Sequence, residues 1–225
     1  MSELRRRLRE VSQAEGLPGV ARHAVGRLRR AAYLHERHTW YELLLDGDLP
    51  ERPLPEGYEL VRATEADLAL AAQTGKEPEH TRRTLADGHE LWLVRDADSG
   101  AFSCWVYHGR APVLAASGGW LALPDRTVCL EDSETSPDHR GRGIAPAAWL
   151  AIARALGEGG YDTMITKVDV ENAPSRRACE KAGFEEVGVM DLRRLGPRRR
   201  VEVTEPVGRS GPALAAALAR AGKNA

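Results

Sequence analysis

Arg140-Gly141-Arg142-Gly143-Ile144-Ala145 is the stretch of this chain best suited to chemistry. Two arginines and two glycines stand directly before an alanine- and leucine-rich run, Ile144 to Leu156, that predicts a helix. Glycine at 141 and 143 lets the backbone take angles that other residues avoid and approach a ligand closely. Pro146 falls in the first helical turn, where its missing N–H does no harm. Such a turn aims several unpaired amides at one point, with the positive end of the helix dipole behind them. That is an anion site, and a pyrophosphate suits it. A P-loop is excluded because no Gly-Lys-Ser/Thr follows, and a dinucleotide fingerprint because Pro146 stands where its third glycine belongs. Just upstream, the apolar-acidic run Val128 to Thr135 predicts a strand carrying Glu131, Asp132 and Glu134.

Positioning that turn requires a sheet with helices against it. Tyr58 to Arg62 reads as a strand, and Thr64 as an N-cap with Asp67 three residues on. A helix is expected from Pro78 to Ala86. Leu91 to Val94 and Phe102 to His108 alternate as a hairpin around Asp96-Ala-Asp-Ser-Gly100. Further strands are expected at Trp120 to Leu123, Thr163 to Val170, Phe184 to Leu195 and Arg199 to Thr204. A small alanine-rich helix is expected within Gly208 to Ala225. Before the main domain, Thr39 to Leu45 is strand-like and proline-rich Leu49 to Gly57 reads as a linker. From Met1 to about Tyr33 the pattern is two basic helices broken at Gly16-Leu-Pro-Gly19, with apolar stripes Leu4, Leu8, Val11 and Val20, Ala24, Leu28, Ala31. The expected division is therefore 1–50 as a basic helical extension, 51–205 as the main domain and 206–225 as a tail with a short helix.

Downstream of the glycine turn come Asn172-Ala-Pro-Ser175 and Glu180-Lys181-Ala182-Gly183-Phe184. Together with Pro137-Asp138-His139 and the turn itself, in this order and spacing, they resemble the GNAT superfamily of N-acetyltransferases. The close resemblance runs from about Thr135 to Gly188, a looser one from Tyr58 to Leu195. It implies a mixed α/β fold, a splayed and mostly antiparallel sheet flanked by helices. It implies acetyl-coenzyme A as co-substrate and no metal. Backbone groups near Glu134, Thr135 and Ser136 would hold the pantetheine arm. The amides from Gly141 through Gly143, Ile144 and Ala145 would hold the pyrophosphate, with Arg140 and Arg142 adding charge. Asn172 and Ser175 would face them across the groove, although Asn-x-x-Ser alone also reads as a helix cap.

Acetyl transfer to an amine requires the ammonium to lose a proton before it attacks, and a lysine-like amine has a pKa of about 10.4. Glu131, Asp132 and Glu134 are the candidate bases. Strict alternation puts Glu131 on one face and Asp132 with Glu134 on the other, but the family often carries a bulge in this strand, which leaves the choice open. Acids beside the acetyl group point to a small, cationic amine as acceptor. The family commonly has a tyrosine acid two residues before the lysine of Glu-Lys-x-Gly-Phe. Cys179 stands there instead, as either a substitute acid or core packing. Trp92, Trp105, Tyr107, Trp120 and Trp149 read as core or acceptor-site lining, with His108 as a relay candidate. His80, His89 and His139 are expected at the surface. The alternatives are a different acyl donor or an oxygen acceptor, or a non-catalytic coenzyme A sensor whose arginine-rich N-terminus contacts a partner or nucleic acid.

A chain of 225 residues with 42% hydrophobic content can bury a substantial core. The formal net charge of −1 gives no overall pull toward nucleic acid or membrane. No apolar run approaches the ~18 residues of a membrane span. Cys104, Cys129 and Cys179 show no paired or metal-ligand spacing, so a reduced, cytoplasmic protein is expected. The abundance of arginine, alanine and glycine is that of a high-GC bacterial genome. An oligomer is compatible with all of this.

Overall fold

In chain order the elements are β1 (Tyr33–Leu44), β2 (Glu59–Arg62), α1 (Leu68–Gln73), α2 (Pro78–Ala86), β3 (Glu90–Arg95), β4 (Gly100–His108), β5 (Arg110–Pro112), β6 (Trp120–Ala122), β7 (Thr127–Thr135), α3 (Ile144–Glu158), β8 (Thr163–Asp169), α4 (Ala173–Lys181), β9 (Glu185–Leu195), β10 (Arg198–Thr204) and α5 (Gly211–Lys223). The computed structural model describes residues 33–223 apart from 98 and 197, so the two basic helices expected before Tyr33 lie outside the described residues. Eight strands form one sheet in the order β10-β9-β1-β8-β7-β4-β3-β2, and β5 with β6 forms a separate hairpin. Every neighbouring pair in the large sheet is antiparallel except β7 with β8. Helix α3 provides the crossover that a parallel pair requires.

Two apolar layers sandwich the sheet. On one face Val128, Leu130, Phe102 and Met164 meet Ile144, Ala148, Trp149 and Ile152 of α3, with Cys179 and Ala182 at the end of α4. On the other face Trp40, Trp105, Tyr107, Cys129 and Ile165 pack with Ala71 of α1 and with Leu214 and Leu218 of α5. The local rules are obeyed closely. Thr64 and Asp67 form the expected capping box, and α2 occupies Pro78–Ala86 with its proline in the first turn. Among the described residues no helix is long and apolar enough to cross a membrane.

One expectation needs correction. Residues 33–44 do not belong to an extension outside the domain: β1 is inserted in the sheet, bonded to β8 on one edge and β9 on the other. Thr39 through Leu43 are all buried. Continuous burial is the mark of an interior strand covered on both faces, and a single-sequence pattern does not reveal which strands flank it.

β1 also anchors the C-terminal helix. Glu42 is 3% exposed. Its carboxylate accepts the backbone N–H of Arg209 at 2.8 Å and of Ser210 at 2.7 Å, just ahead of α5. A buried anion at a helix start meets both the free amides and the positive dipole end. Glu42→Ala should therefore cost about 3 kcal/mol in urea unfolding, the loss of charge-assisted bonds to one part-buried and one buried donor; an unchanged midpoint would contradict this role.

Candidate active site

The site begins with one extra residue in β7. Thr135 and Glu134 lie opposite Phe102 and Ser103 of β4, yet Glu131 lies opposite Trp105. Asp132 and Ser133 thus share Cys104, which makes a β-bulge. Asp132 takes up the distortion at φ 51°. Lys76, with a side chain only 4% exposed, secures it by donating to the Asp132 carbonyl at 2.6 Å and its carboxylate at 2.8 Å. The bulge resets the alternation, so Glu131 and Glu134 fall on the same face as Trp105 and Ser103, directly opposite them. The simple alternation that separated Glu131 from Glu134 is corrected by this one inserted residue.

Just before the bulge, β7 and β8 part. Their parallel pairing runs from Thr127–Thr163 to Leu130–Thr166 and stops there, although β7 continues to Thr135 and β8 to Asp169. At the opening of this fork the Glu131 carboxylate meets the Lys167 ammonium at 2.5 Å. Burial pushes the Glu131 carboxyl above its ordinary range, while Lys167 and the Cys129 thiol at 3.5 Å hold it back. On β1, His38 is driven the other way, toward the neutral imidazole, by burial and by the Lys167 charge. On the α3 side of the fork, Trp149 donates its indole N–H to Ser133 Oγ at 3.1 Å.

Ser136 is not free to hold a ligand through its amide, because that N–H donates to Ala101 at 2.9 Å and its hydroxyl donates to Gly100 at 2.8 Å. Since Ser136 faces β4, alternation turns the N–H of Thr135 and of Ser133 away from β4, into the fork. Ser133 and Thr135 thus offer the strand edge that the resemblance placed near Glu134, Thr135 and Ser136.

The glycine turn closes the far end. Gly141 and Gly143 sit at φ 78° and 77°, and a methyl group placed on either would meet nothing within 4 Å. Gly143 is the N-cap of α3, so the amides of Ile144 and Ala145 precede the first intrahelical bond and face this open ground. A pyrophosphate fits such a cradle: open space, free donors and a positive dipole end. Both arginines build the frame as well as adding charge. Arg140 reaches the Thr135 carbonyl at 3.0 Å and Glu134 at 2.8 Å. Arg142 bonds the Tyr58 hydroxyl at 2.9 Å, and Tyr58 in turn meets His139 at 2.8 Å.

Asn172 caps α4 by accepting the Ser175 amide at 3.2 Å, so the cap reading of Asn-Ala-Pro-Ser holds in the chain as it stands. Cys179, on the inner side of α4, is fully buried in the apolar layer it shares with α3, and burial pushes its thiol up to about 12. That environment favours packing over proton donation. Each of the three acids has a cationic partner, Asp132 in Lys76, Glu134 in Arg140 and Glu131 in Lys167, but Glu131 is the least exposed of them and lies where the β7–β8 ladder ends. Sequence reasoning passed over Lys76, Lys167, His38 and Trp40. Lys167 had a visible signal, a charge inside the apolar run Thr163-Met-Ile-Thr-Lys-Val168; the others had none. His89, expected at the surface, is buried beside Tyr107 and Trp120.

Residues 63–184, more than half of the chain, match the model of the acetyltransferase (GNAT) family. The chain belongs to that family. Its fold is similar to a GCN5-related N-acetyltransferase from Sphaerobacter thermophilus, at 15% identity and TM-score 0.54 over 83% of this chain and 57% of that one. It is also similar to a GNAT-family acetyltransferase from Colwellia psychrerythraea, at 13% identity and TM-score 0.50 over 72% of this chain and 56% of that one. The chain thus spans less than three fifths of either relative's length, and at such identities the likeness concerns the fold. No curated protein sequence matches the chain significantly.

Two substitutions test these placements. Gly143→Glu forces a side chain onto a left-handed backbone and sets a carboxylate where an anion belongs. Coenzyme A affinity by calorimetry should fall roughly a hundredfold, equivalent to about 2.7 kcal/mol; unchanged affinity would refute the cradle. Cys179→Ala should retain turnover while costing about 1 kcal/mol of stability; a collapse of turnover with intact coenzyme A binding would make Cys179 catalytic after all.

Proposed function

We propose that this chain transfers the acetyl group of acetyl-coenzyme A to the primary amine of a small molecule by direct attack, with Glu131 as the general base. The observation that carries the reading is the position of Glu131, a carboxylate whose side chain is only 13% exposed, where the β7–β8 ladder ends, with the Ser133 and Thr135 edge and then the glycine cradle following it along the chain. Acetyl-coenzyme A supplies the activated thioester when bound. The residues that would hold it are Gly141, Gly143, Ile144 and Ala145 at the pyrophosphate and the edge of Ser133 and Thr135 along the pantetheine arm. Asn172 and Ser175 would flank it from α4.

The remaining work belongs to the chain's own groups. Glu131 would accept the proton from the incoming ammonium, freeing the nitrogen lone pair to bond to the thioester carbonyl carbon; the C–S bond would then break, the amide nitrogen would lose its second proton, and the coenzyme A thiolate would leave and take up a proton from solvent. Burial raises the proton affinity of Glu131, which brings its basicity closer to the amine's, the direction that efficient proton transfer requires. Lys167 restrains that rise and fixes the carboxylate's orientation through their 2.5 Å contact. Lys76 keeps the bulge, and with it the opening, in place.

Free-thiol release from acetyl-coenzyme A across a panel of small amines tests the reaction, and Glu131→Gln tests the base. The variant should lose about 10²–10⁴-fold in kcat/KM with coenzyme A affinity retained. In the parent protein, kcat/KM should rise with pH as Glu131 ionises, with a midpoint above the ordinary carboxylate value of about 4.3. Lys167→Met removes the cation that favours the ionised form, so the midpoint should move to still higher pH. A midpoint that stays fixed in Lys167→Met, or a fully active Glu131→Gln, would assign the base elsewhere.

A further inference from the structure

The face of the fork opposite α3 carries a row of four side chains that runs across four strands. Trp105 on β4 lies directly opposite Glu131 on β7. Glu131 meets Lys167 on β8, and Lys167 lies directly opposite Trp40 on β1. Directly opposed residues share a face of the sheet. The Lys167 ammonium stands 5.9 Å from the centre of the Trp40 ring. His38, two residues before Trp40 on the same strand, points to the same side. Trp40 and Trp105 are 1% and 0% exposed. Among the described residues the indole N–H of each, and Nδ1 of His38, are buried without a hydrogen-bond partner.

Those orphans have a definite chemistry. An indole N–H only donates, so its missing partner is an acceptor such as an oxygen, and a buried donor without an acceptor is disfavoured. Lys167 adds a positive charge between the two indoles, and Glu131 beside it is the matching negative one. The ligand complementary to a carboxylate touching an ammonium is a zwitterion. Its ammonium faces Glu131, its carboxylate faces Lys167, and carboxylate oxygens can also accept from the indoles.

We propose that the acceptor is a free amino acid, an amine whose carboxylate is bound by Lys167 and by the indole N–H groups of Trp40 and Trp105. This rests on the acetyltransferase reading and names its substrate class. It replaces the purely cationic amine expected from the acidic strand, because Lys167 neutralises Glu131 and the groups left over are donors. It also places one of the four acceptor-site side chains, Trp40, on β1, outside the 63–184 segment matched by the family. Specificity would then come in part from a strand that the family pattern does not cover.

The test compares amino acids with the amines left when their carboxylate is removed, such as ornithine with putrescine and tyrosine with tyramine. Turnover should favour the carboxylated member of each pair at least tenfold in kcat/KM. Calorimetry without acetyl-coenzyme A should show the N-acetyl amino acid binding at least tenfold more tightly than the N-acetyl amine. Trp40→Phe/Trp105→Phe keeps an aromatic ring at each position and removes both donors. It should erase most of that preference through KM, with coenzyme A affinity unchanged. Turnover confined to amines without a carboxylate, or an undiminished preference in the double variant, would overturn this assignment and leave the acetyltransferase reading intact. Coenzyme A binding without transfer to any member of the panel, together with equal binding of both products, would overturn both.

Discussion

Lys76 and the extra residue it secures at Asp132 are the constraint on which the site depends. A parallel pair such as β7 and β8 would otherwise continue its ladder toward Thr135 and Asp169 and seal the sheet. One inserted residue bends β7 away after Leu130. It also turns the edge of Ser133 and Thr135 toward the gap and brings Glu131 and Glu134 to one face. The left-handed backbone at Asp132 is unfavourable for a residue with a side chain. It persists because a buried ammonium bonds both its carbonyl and its carboxylate. Strain at this position and access to the fork are therefore two aspects of one feature.

The charges at the fork follow from that opening. Glu131 and Lys167 are partners because the ladder between their strands has ended, leaving two polar side chains at the margin of an apolar layer. Neither suits that environment alone, since an unpaired buried charge is strongly disfavoured. Together they place a carboxylate of raised proton affinity beside the gap. The turn after β7 is built by the same economy of contacts. Arg140 holds the end of the strand through Thr135 and Glu134, and Arg142 holds Tyr58 on the approach to β2. This leaves the glycines themselves exposed and open.

Much of the fold was legible in the sequence because local rules carry it. The capping box at Thr64 and Asp67, the proline start of α2, and the glycine turn into α3 all depend on residues within a few positions of one another. What was not legible depends on partners far away in the chain. The place of β1 between β8 and β9 is set by contacts with residues more than a hundred positions downstream. The bulge in β7 follows from pairing with β4 and from Lys76, and nothing in Leu130-Glu-Asp-Ser-Glu134 identifies which residue is the extra one. Cys179 was legible only as a departure from the family pattern. Its burial on the inner side of α4, in the layer shared with α3, explains why a small apolar group serves there.

Hydrogen–deuterium exchange with and without coenzyme A tests the central claim most directly, namely that the opening beyond Leu130 and the turn before α3 form one cofactor groove. The account predicts slowed exchange at Ser133 and Thr135 and from Gly141 to Ala145. It predicts little change along β10 or α5. Protection confined to the sheet's outer strands, with the β7 edge and the glycine turn unaffected, would place the cofactor elsewhere and contradict it.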